Sequence, residues 1–409
     1  MTIDLNQPAA SRRHALHWAE SAPACGIVAA LHAVLVEDFA ATASELYLVD
    51  YRLSVLQPVL LSSQRPIGAT QVHGVDQSEV GRVFVTQRRE VALADGTGEA
   101  VARLPVTLRG DRLGVLEVKL SGPPSEEVLG QLERVATELA YAICVAKRDT
   151  DVFERASRAQ SLSLEAEMQW QLLPGKASSG PGYRLAGQLE PAYYVAGDSF
   201  DWCVAAESAQ LSLCDAMGRG VVASELATLA VTALRNARRN DIGLADQARC
   251  ADQAIYAVHA GERFVNAVLL RFDHASKTAS AVSAGSTLLI RQRGNEVVPL
   301  ALKTQLPLGL FENTDYVEQQ LDVVPGDRVI AVSDGLYSAR PPGGEEFGAG
   351  KLTSLLRSMS ALLPSEAVRR VIKELISYHS GASLRDDAIV LVFDWLSLPS
   401  GSSPCGPLA

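Results

Sequence analysis

Eight strand-like apolar runs fall between Tyr183 and Phe393: 183–190, 200–205, 210–214, 265–272, 279–284, 287–291, 327–332 and 388–393. Helical stretches are fewer, at about 220–239, 246–259, 351–358 and 364–379, and they do not alternate with the strands. A parallel sheet needs a crossover, usually a helix, between successive strands. The order seen here therefore predicts antiparallel sheets stacked face to face, with helices outside.

Acidic signatures border four of these runs. They are Ala196-Gly197-Asp198-Ser199-Phe200-Asp201, Cys214-Asp215-Ala216-Met217-Gly218-Arg219-Gly220, Ser333-Asp334-Gly335 and Arg385-Asp386-Asp387. Any one of them reads as a turn or a cap, because aspartate serves both. Four in series, each at a strand end, can converge on a hard divalent cation such as Mg²⁺ or Mn²⁺, which prefers oxygen ligands. Zinc would recruit His or Cys, and the seven histidines form no paired ligand pattern. Asp215 is the candidate bridge between two cations, Asp334 and Asp386 complete one shell, and Asp198 serves the second. Such a centre supplies hydroxide at neutral pH and neutralises phosphoryl oxygens, which slow phosphate ester hydrolysis requires. Asp201 reads as a cap or an outer ligand, and Asp387 as a residue that orients Asp386 or a water on the substrate side. No phosphate loop and no complete dinucleotide fingerprint is present.

The 409 residues suffice for two or three domains. An apolar share of 47% with 21% charged residues is that of a globular chain. A net charge of −10 argues against a general nucleic-acid binder, which needs a basic face. Arg235, Arg238 and Arg239 read as a solvated helix face. The six cysteines lack a CxxC pair and fit a reducing cytoplasm, with Cys25 expected to be buried. No signal-peptide core or membrane-length apolar run appears, so neither export nor membrane insertion is expected.

Residues 1–12 and 398–409 read as loose tails, and 13–124 as a small α+β domain. That domain opens on a helical pattern over 14–36 and continues in strand-like stretches at 46–53, 55–61, 81–86, 102–108 and 112–120. Arg109-Gly110-Asp111 is a hairpin turn. A helix opens at Ser125, and Leu132, Val135, Leu139, Ala142 and Ala146 form a 3-4-3-4 seam. This seam either lies on its own domain or joins two copies in a homodimer, with 125–172 as a helical connector. The last folded unit is 173–397, which makes the fold class α+β.

The C-terminal residues resemble the SpoIIE/RsbU branch of the metal-dependent serine/threonine phosphatases, the PPM family. The likeness runs from the lead-in Gln169-Trp170-Gln171-Leu172-Leu173-Pro174 through the four acidic signatures, with Ser283-Ala284-Gly285, Pro307-Leu308-Gly309 and Pro325-Gly326-Asp327 between them. The resemblance implies a β-sandwich flanked by helices. It also implies two or three Mn²⁺ or Mg²⁺ ions held by Asp215, the Ala216 carbonyl, Asp334 and Asp386, with Asp198 close by. The implied substrate is phosphoserine or phosphothreonine on a regulatory protein, commonly a STAS-type anti-sigma-factor antagonist.

Ser286, Asn266 and Ser338 depart from the family's usual histidine, threonine and glutamate. Arg219 stands where Lys or His is common and could meet substrate phosphate. The first domain resembles a GAF sensor through Gly81-Arg82-Val83-Phe84, Leu104-Pro105-Val106 and Leu113 to Val118, with its small-molecule or protein signal open. Two rival readings are a catalytically silent binding module, separated by phosphate release, and a nucleotidyl cyclase, for which the later acids have no use.

Overall fold

The computed structural model describes residues 18–60, 71–93, 98–191, 197–285, 287–341, 343–380 and 384–397. The expected tails 1–12 and 398–409, together with Ala196 and Ser286, lie outside the described residues. The chain divides into two compact units, Met1–Ser161 and Leu162–Ala409.

The first unit runs α1 (Trp18–Ser21), α2 (Ile27–Phe39), β1 (Ala41–Val49), β2 (Val55–Pro58), β3 (His73–Gly74), α3 (Glu79–Thr86), β4 (Glu90–Leu93), β5 (Ala100–Leu108), β6 (Asp111–Leu120), α4 (Glu126–Ala146) and α5 (Val152–Ala156). Its strands form an antiparallel sheet in the order β3-β2-β1-β6-β5-β4. Successive side chains of a strand point to opposite faces. Leu46 and Leu48 of β1 accordingly join the core that includes α2 and α4, while Tyr47 and Val49 join the core under α3. Arg109 and Gly110, both at positive φ, close the β5–β6 hairpin as the sequence predicts.

Four expectations change. The 14–36 pattern is not one described helix: a short 3₁₀ turn at Ala24–Gly26, entered through Pro23, separates α1 from α2. Residues 81–86 are helical rather than extended. Ser78 caps α3 by accepting from the Gly81 N–H at 2.9 Å, and Val80, Val83 and Phe84 bury one helical face. The stretch 125–172 is split. Ser125 does cap α4, but Leu132, Val135, Leu139, Ala142 and Ala146 are buried in the first unit's own core, so that seam is spent within the unit. Cys25 is exposed. Among the described residues, no helix is long and apolar enough to cross a membrane.

The second unit runs α6 (Leu164–Leu172), β7 (Ala177–Gly180), β8 (Tyr183–Glu190), β9 (Ser199–Val204), β10 (Ser208–Ala216), α7 (Val221–Arg239), α8 (Leu244–His259), β11 (Val265–Asp273), β12 (Thr278–Ala284), β13 (Leu288–Arg293), β14 (Glu296–Pro299), β15 (Gln319–Leu321), β16 (Arg328–Val332), α9 (Asp334–Tyr337), α10 (Gly348–Ser358), α11 (Pro364–Tyr378) and β17 (Ala388–Trp395). Two antiparallel sheets result, ordered β15-β12-β11-β10-β9 and β14-β13-β16-β17-β8-β7. Leu211 and Leu213 of β10, Val329 and Ala331 of β16, and Ile389 and Leu391 of β17 meet between the sheets. Helices α7 and α8 cover the outer face of one sheet, and α10 and α11 that of the other. This is the expected α+β sandwich.

Aromatic rings weld the sheets together: Phe272 stacks on Phe393 at 4.2 Å and meets Trp395 edge-on at 5.5 Å. The Trp395 indole N–H donates to His274 Nδ1 at 3.3 Å, which requires that nitrogen to be unprotonated. Burial lowers the His274 pKa, partly countered by Asp273. A group that folding makes less basic contributes stability above its unfolded pKa of about 6.5, and that contribution is lost as pH falls through the folded pKa. Replacing His274 with Gln should therefore flatten the fall in urea-unfolding midpoint between about pH 7 and 5. An unchanged slope would exclude His274 as its source.

Candidate metal and active site

Strand parity explains which acids meet. Asp215 continues the alternation of Leu211 and Leu213, so it belongs to the side of β10 that faces the other sheet. Asp198 shares parity with the inward Phe200 of β9, whereas Asp201, three residues on, falls on the opposite face. Asp334 opens α9 just after β16, and Asp386 lies just before β17. Acids from both sheets thus gather at one end of the sandwich.

Their electrostatics show that they share one space. Burial raises the Asp198 pKa well above the usual carboxylate range, with Asp215 and Asp387 adding to it. Burial also raises Asp215; the Asn266 amide, donating to its Oδ2 at 3.0 Å, opposes this, and Asp334 reinforces it. Asp386 is pushed up to about 6 by burial, then by Asp334 and Asp215. Asp198 Oδ2 is buried without a hydrogen-bond partner among the described residues. No three described His, Cys, Asp or Glu side chains already close on a single point. Asp215, Asp334 and Asp387 nonetheless act electrostatically on their acidic neighbours, which puts these carboxylates in one region. An all-oxygen, self-repelling donor set with an orphaned oxygen fits a hard divalent cation.

Asp387 is a brace. Fully buried, its Oδ2 accepts from the Gln169 side-chain amide at 2.5 Å and from the Gly197 N–H at 3.1 Å. The same Gln169 amide reaches the Asp198 carbonyl at 2.8 Å. One side chain of α6 therefore ties the segment before β9 to the segment before β17. Ser333 completes the brace: its hydroxyl donates to the Asp387 carbonyl at 3.3 Å and accepts from the Ile389 N–H at 2.9 Å.

Two motif glycines are steric necessities. A Cβ on Gly335 would stand 2.0 Å from the Asp387 carbonyl oxygen. Gly285, at φ +98°, would press one to 2.1 Å from Asn266 Oδ1, the side chain that holds Asp215.

Other site expectations divide. Ala216 is the buried last residue of β10, next to Asp215. Arg219 is exposed, and its Nη2 donates to the Arg385 carbonyl at 3.4 Å. Ser338 bonds back to the Asp334 carbonyl. Asp201 does not join the acid group. It accepts from Arg235 at 2.8 and 3.1 Å and from Arg238 at 2.9 Å, while Arg235 also donates to the Leu172 carbonyl at 2.6 Å. Arg235 and Arg238 are thus not a solvated face but a clamp from α7 onto β9 and the end of α6. Sequence reading passed over Asn266 and Gln169 as site-bracing residues; the β10–β11 pairing that sets Asp215 opposite Asn266 was the available signal for the first. Tyr337 was also missed, its hydroxyl made less acidic by burial and by Asp334.

Breaking the clamp should cost stability without touching the acids. Asp201→Ala leaves two guanidiniums without their shared carboxylate, and should destabilise the second unit by about 3 kcal/mol, as breaking buried pairs does. Urea unfolding followed by tryptophan fluorescence measures this. A loss below about 0.5 kcal/mol would class the cluster with surface pairs.

Residues 206–396 match the family model described as Stage II sporulation protein E (SpoIIE). No curated protein matches the sequence. Among solved structures, the SiaA-PP2C domain of Pseudomonas aeruginosa is 22% identical over 51% of this chain and 85% of its own, with a TM-score of 0.46. The PP2C phosphatase domain of Bacillus subtilis SpoIIE, with a fragment of its regulatory domain, is 18% identical over 75% of this chain and 81% of its own, with a TM-score of 0.46. The catalytic domain of the serine/threonine phosphatase PstP, an enzyme of Mycobacterium tuberculosis, is 18% identical over 53% of this chain and 99% of its own, with a TM-score of 0.41, and that structure holds two manganese ions. The match to the SpoIIE family model, over residues 206–396, takes in the greater part of the second unit.

Proposed function

We propose that the second unit is a Mn²⁺- or Mg²⁺-dependent phosphatase acting on phosphoserine or phosphothreonine of a regulatory protein. The observation that carries this reading is the convergence of Asp198, Asp215, Asp334 and Asp386 from the strand ends of both sheets, where burial and neighbouring carboxylates make Asp198, Asp215 and Asp386 less acidic. Asp215, the Ala216 carbonyl, Asp334 and Asp386 would hold the ions, with Asp198 beside them. Bound there, such ions supply Lewis acidity, which lowers the pKa of water and neutralises phosphoryl charge. Asn266 fixes the Asp215 carboxylate, Asp387 and Gln169 fix the segments that carry Asp198 and Asp386, and the sandwich core keeps these supports rigid. The two manganese ions of the PstP structure are consistent with this choice of metal.

The first unit, on this proposal, is a GAF-like sensor, supported by its antiparallel sheet with helices against both faces. Control through α6 is supported by the place of this helix as the first element of the second unit and by Gln169, which already touches the acid-bearing segments.

Two measurements on the full chain test the reading. Hydrolysis of p-nitrophenyl phosphate should require Mn²⁺ or Mg²⁺, stop with EDTA, and fall by about a hundredfold or more in Asp215→Asn and in Asp334→Asn. Turnover that survives either substitution would refute the assignment. By calorimetry, Gln169→Ala should bind Mn²⁺ about tenfold more weakly, as loss of a ligand-orienting partner does. Unaltered affinity would reduce Gln169 to a packing residue.

A further inference from the structure

Eleven described arginines, Arg82, Arg89, Arg103, Arg235, Arg238, Arg249, Arg291, Arg293, Arg328, Arg340 and Arg370, each meet a carboxylate. Arg219, Arg263 and Arg385 are among those that meet no carboxylate of the described residues, and their position sets them apart. Arg219 comes four residues after Asp215, Arg385 directly precedes Asp386, and Arg263 lies beside the turn that carries Arg219. Arg219 lies in the turn that follows Asp215 and donates to the backbone of Arg385, the residue before Asp386. Arg263 belongs to the segment that enters β11; its Nη1 would lie 3.4 Å from a Cβ on Gly218, and the Phe264 carbonyl accepts from the Met217 N–H at 3.1 Å. Hydrogen bonds and close approach thus join three loops into one basic lip, in a chain whose net charge is −10.

Depth separates this lip from the chemistry. Asp198 is 1% exposed, whereas Arg219 and Arg385 are exposed and Arg263 is half-buried. A phosphorylated side chain that enters the pocket leaves its neighbouring residues at the level of the lip. Unpaired guanidiniums at that level attract carboxylates, through bidentate geometry as well as charge.

We propose that Arg219, Arg385 and Arg263 form a specificity-determining lip that selects phosphorylated segments with Asp or Glu beside the phosphorylated residue. The proposal rests on the phosphatase reading for its substrate. The lip acts on the acidic neighbours rather than on the phosphoryl group, and it favours encounter as well as binding.

The test uses the full chain with Mn²⁺ and two fluorescein-labelled phosphoserine peptides, identical except that Asp and Glu flank the phosphoserine in one and Asn and Gln in the other. Both Kd by anisotropy and kcat/KM by phosphate release are measured. The acidic peptide should be preferred about three- to tenfold at low salt, as expected for a few exposed ion pairs, and the preference should shrink as ionic strength rises. In Arg219→Ala/Arg385→Ala the ratio of the two peptides should fall to about one, and Arg385→Glu should push it below one. The ratio compares two peptides on one preparation, so partial loss of folded protein does not affect it. Equal binding of the two peptides by the wild type, or a preference retained in the double variant, would overturn the lip. Selective binding without phosphate release would instead overturn the phosphatase reading and leave the lip standing.

Discussion

Carboxylates that repel one another are the constraint around which the second unit is built. Asp198, Asp215 and Asp386 are all less acidic than a solvated carboxyl group, each chiefly through burial and then through its neighbours. Such a group costs free energy to assemble, so the surrounding structure must supply more than the acids take away. The two sheets do this by long antiparallel ladders: β10 pairs with β11 through nine residues ending at Ala216, and β17 pairs with β8 through eight beginning at Ala388. The acids sit at or just beyond the ends of these ladders, where the backbone is still fixed but the side chains face a common space.

Bracing at the ladder ends is done by neutral donors and by one carboxylate that is not itself a ligand candidate. Asp387 holds Gln169 and the Gly197 N–H, and Ser333 closes the loop between its carbonyl and Ile389. This division of labour follows from charge. A cation placed among the acids to fix their positions would compete with the metal, whereas amides and hydroxyls orient the segments without neutralising them. The cationic clamp lies instead on the far face of β9, where Arg235 and Arg238 engage Asp201.

Sequence periodicity made the main elements of the second unit legible because its strands are long and apolar: β8 matches its expected run residue for residue, and α7 and α11 within a residue or two at each end. Short edge strands were not legible. β7, β14 and β15 are three or four residues each and are defined by the partner they pair with rather than by composition. α3 was misread because Val83, Phe84 and Val85 run together like a strand, while the decisive signal was the Ser78 cap and the spacing of Val80, Val83 and Phe84. The strand-end placement of the four acids was legible in the sequence. Asp201 was harder to place, although strand parity alone puts it on the face opposite Asp198. The role of Gln169 was not readable locally, since its partner Asp387 lies 218 residues away in the sequence.

The placement of the glycines shows how closely the site and the fold are tied. Gly335 is required because the Asp387 carbonyl passes over it, and Gly285 because Asn266 lies against it. In both cases the atom that would clash, the Asp387 carbonyl oxygen or Asn266 Oδ1, belongs to the support of an acid, so a methyl group there would move the acid's support before it disturbed the core. The acids themselves could be exchanged for amides with little steric effect. The backbone around them could not be rebuilt so easily, because the loops that carry them touch one another directly: Arg219 reaches the Arg385 carbonyl, and the Met217 N–H reaches the Phe264 carbonyl. Mutual contact lets short loops hold their geometry against the repulsion of the charges they carry, with the dense aromatic and aliphatic packing between the sheets as the common anchor.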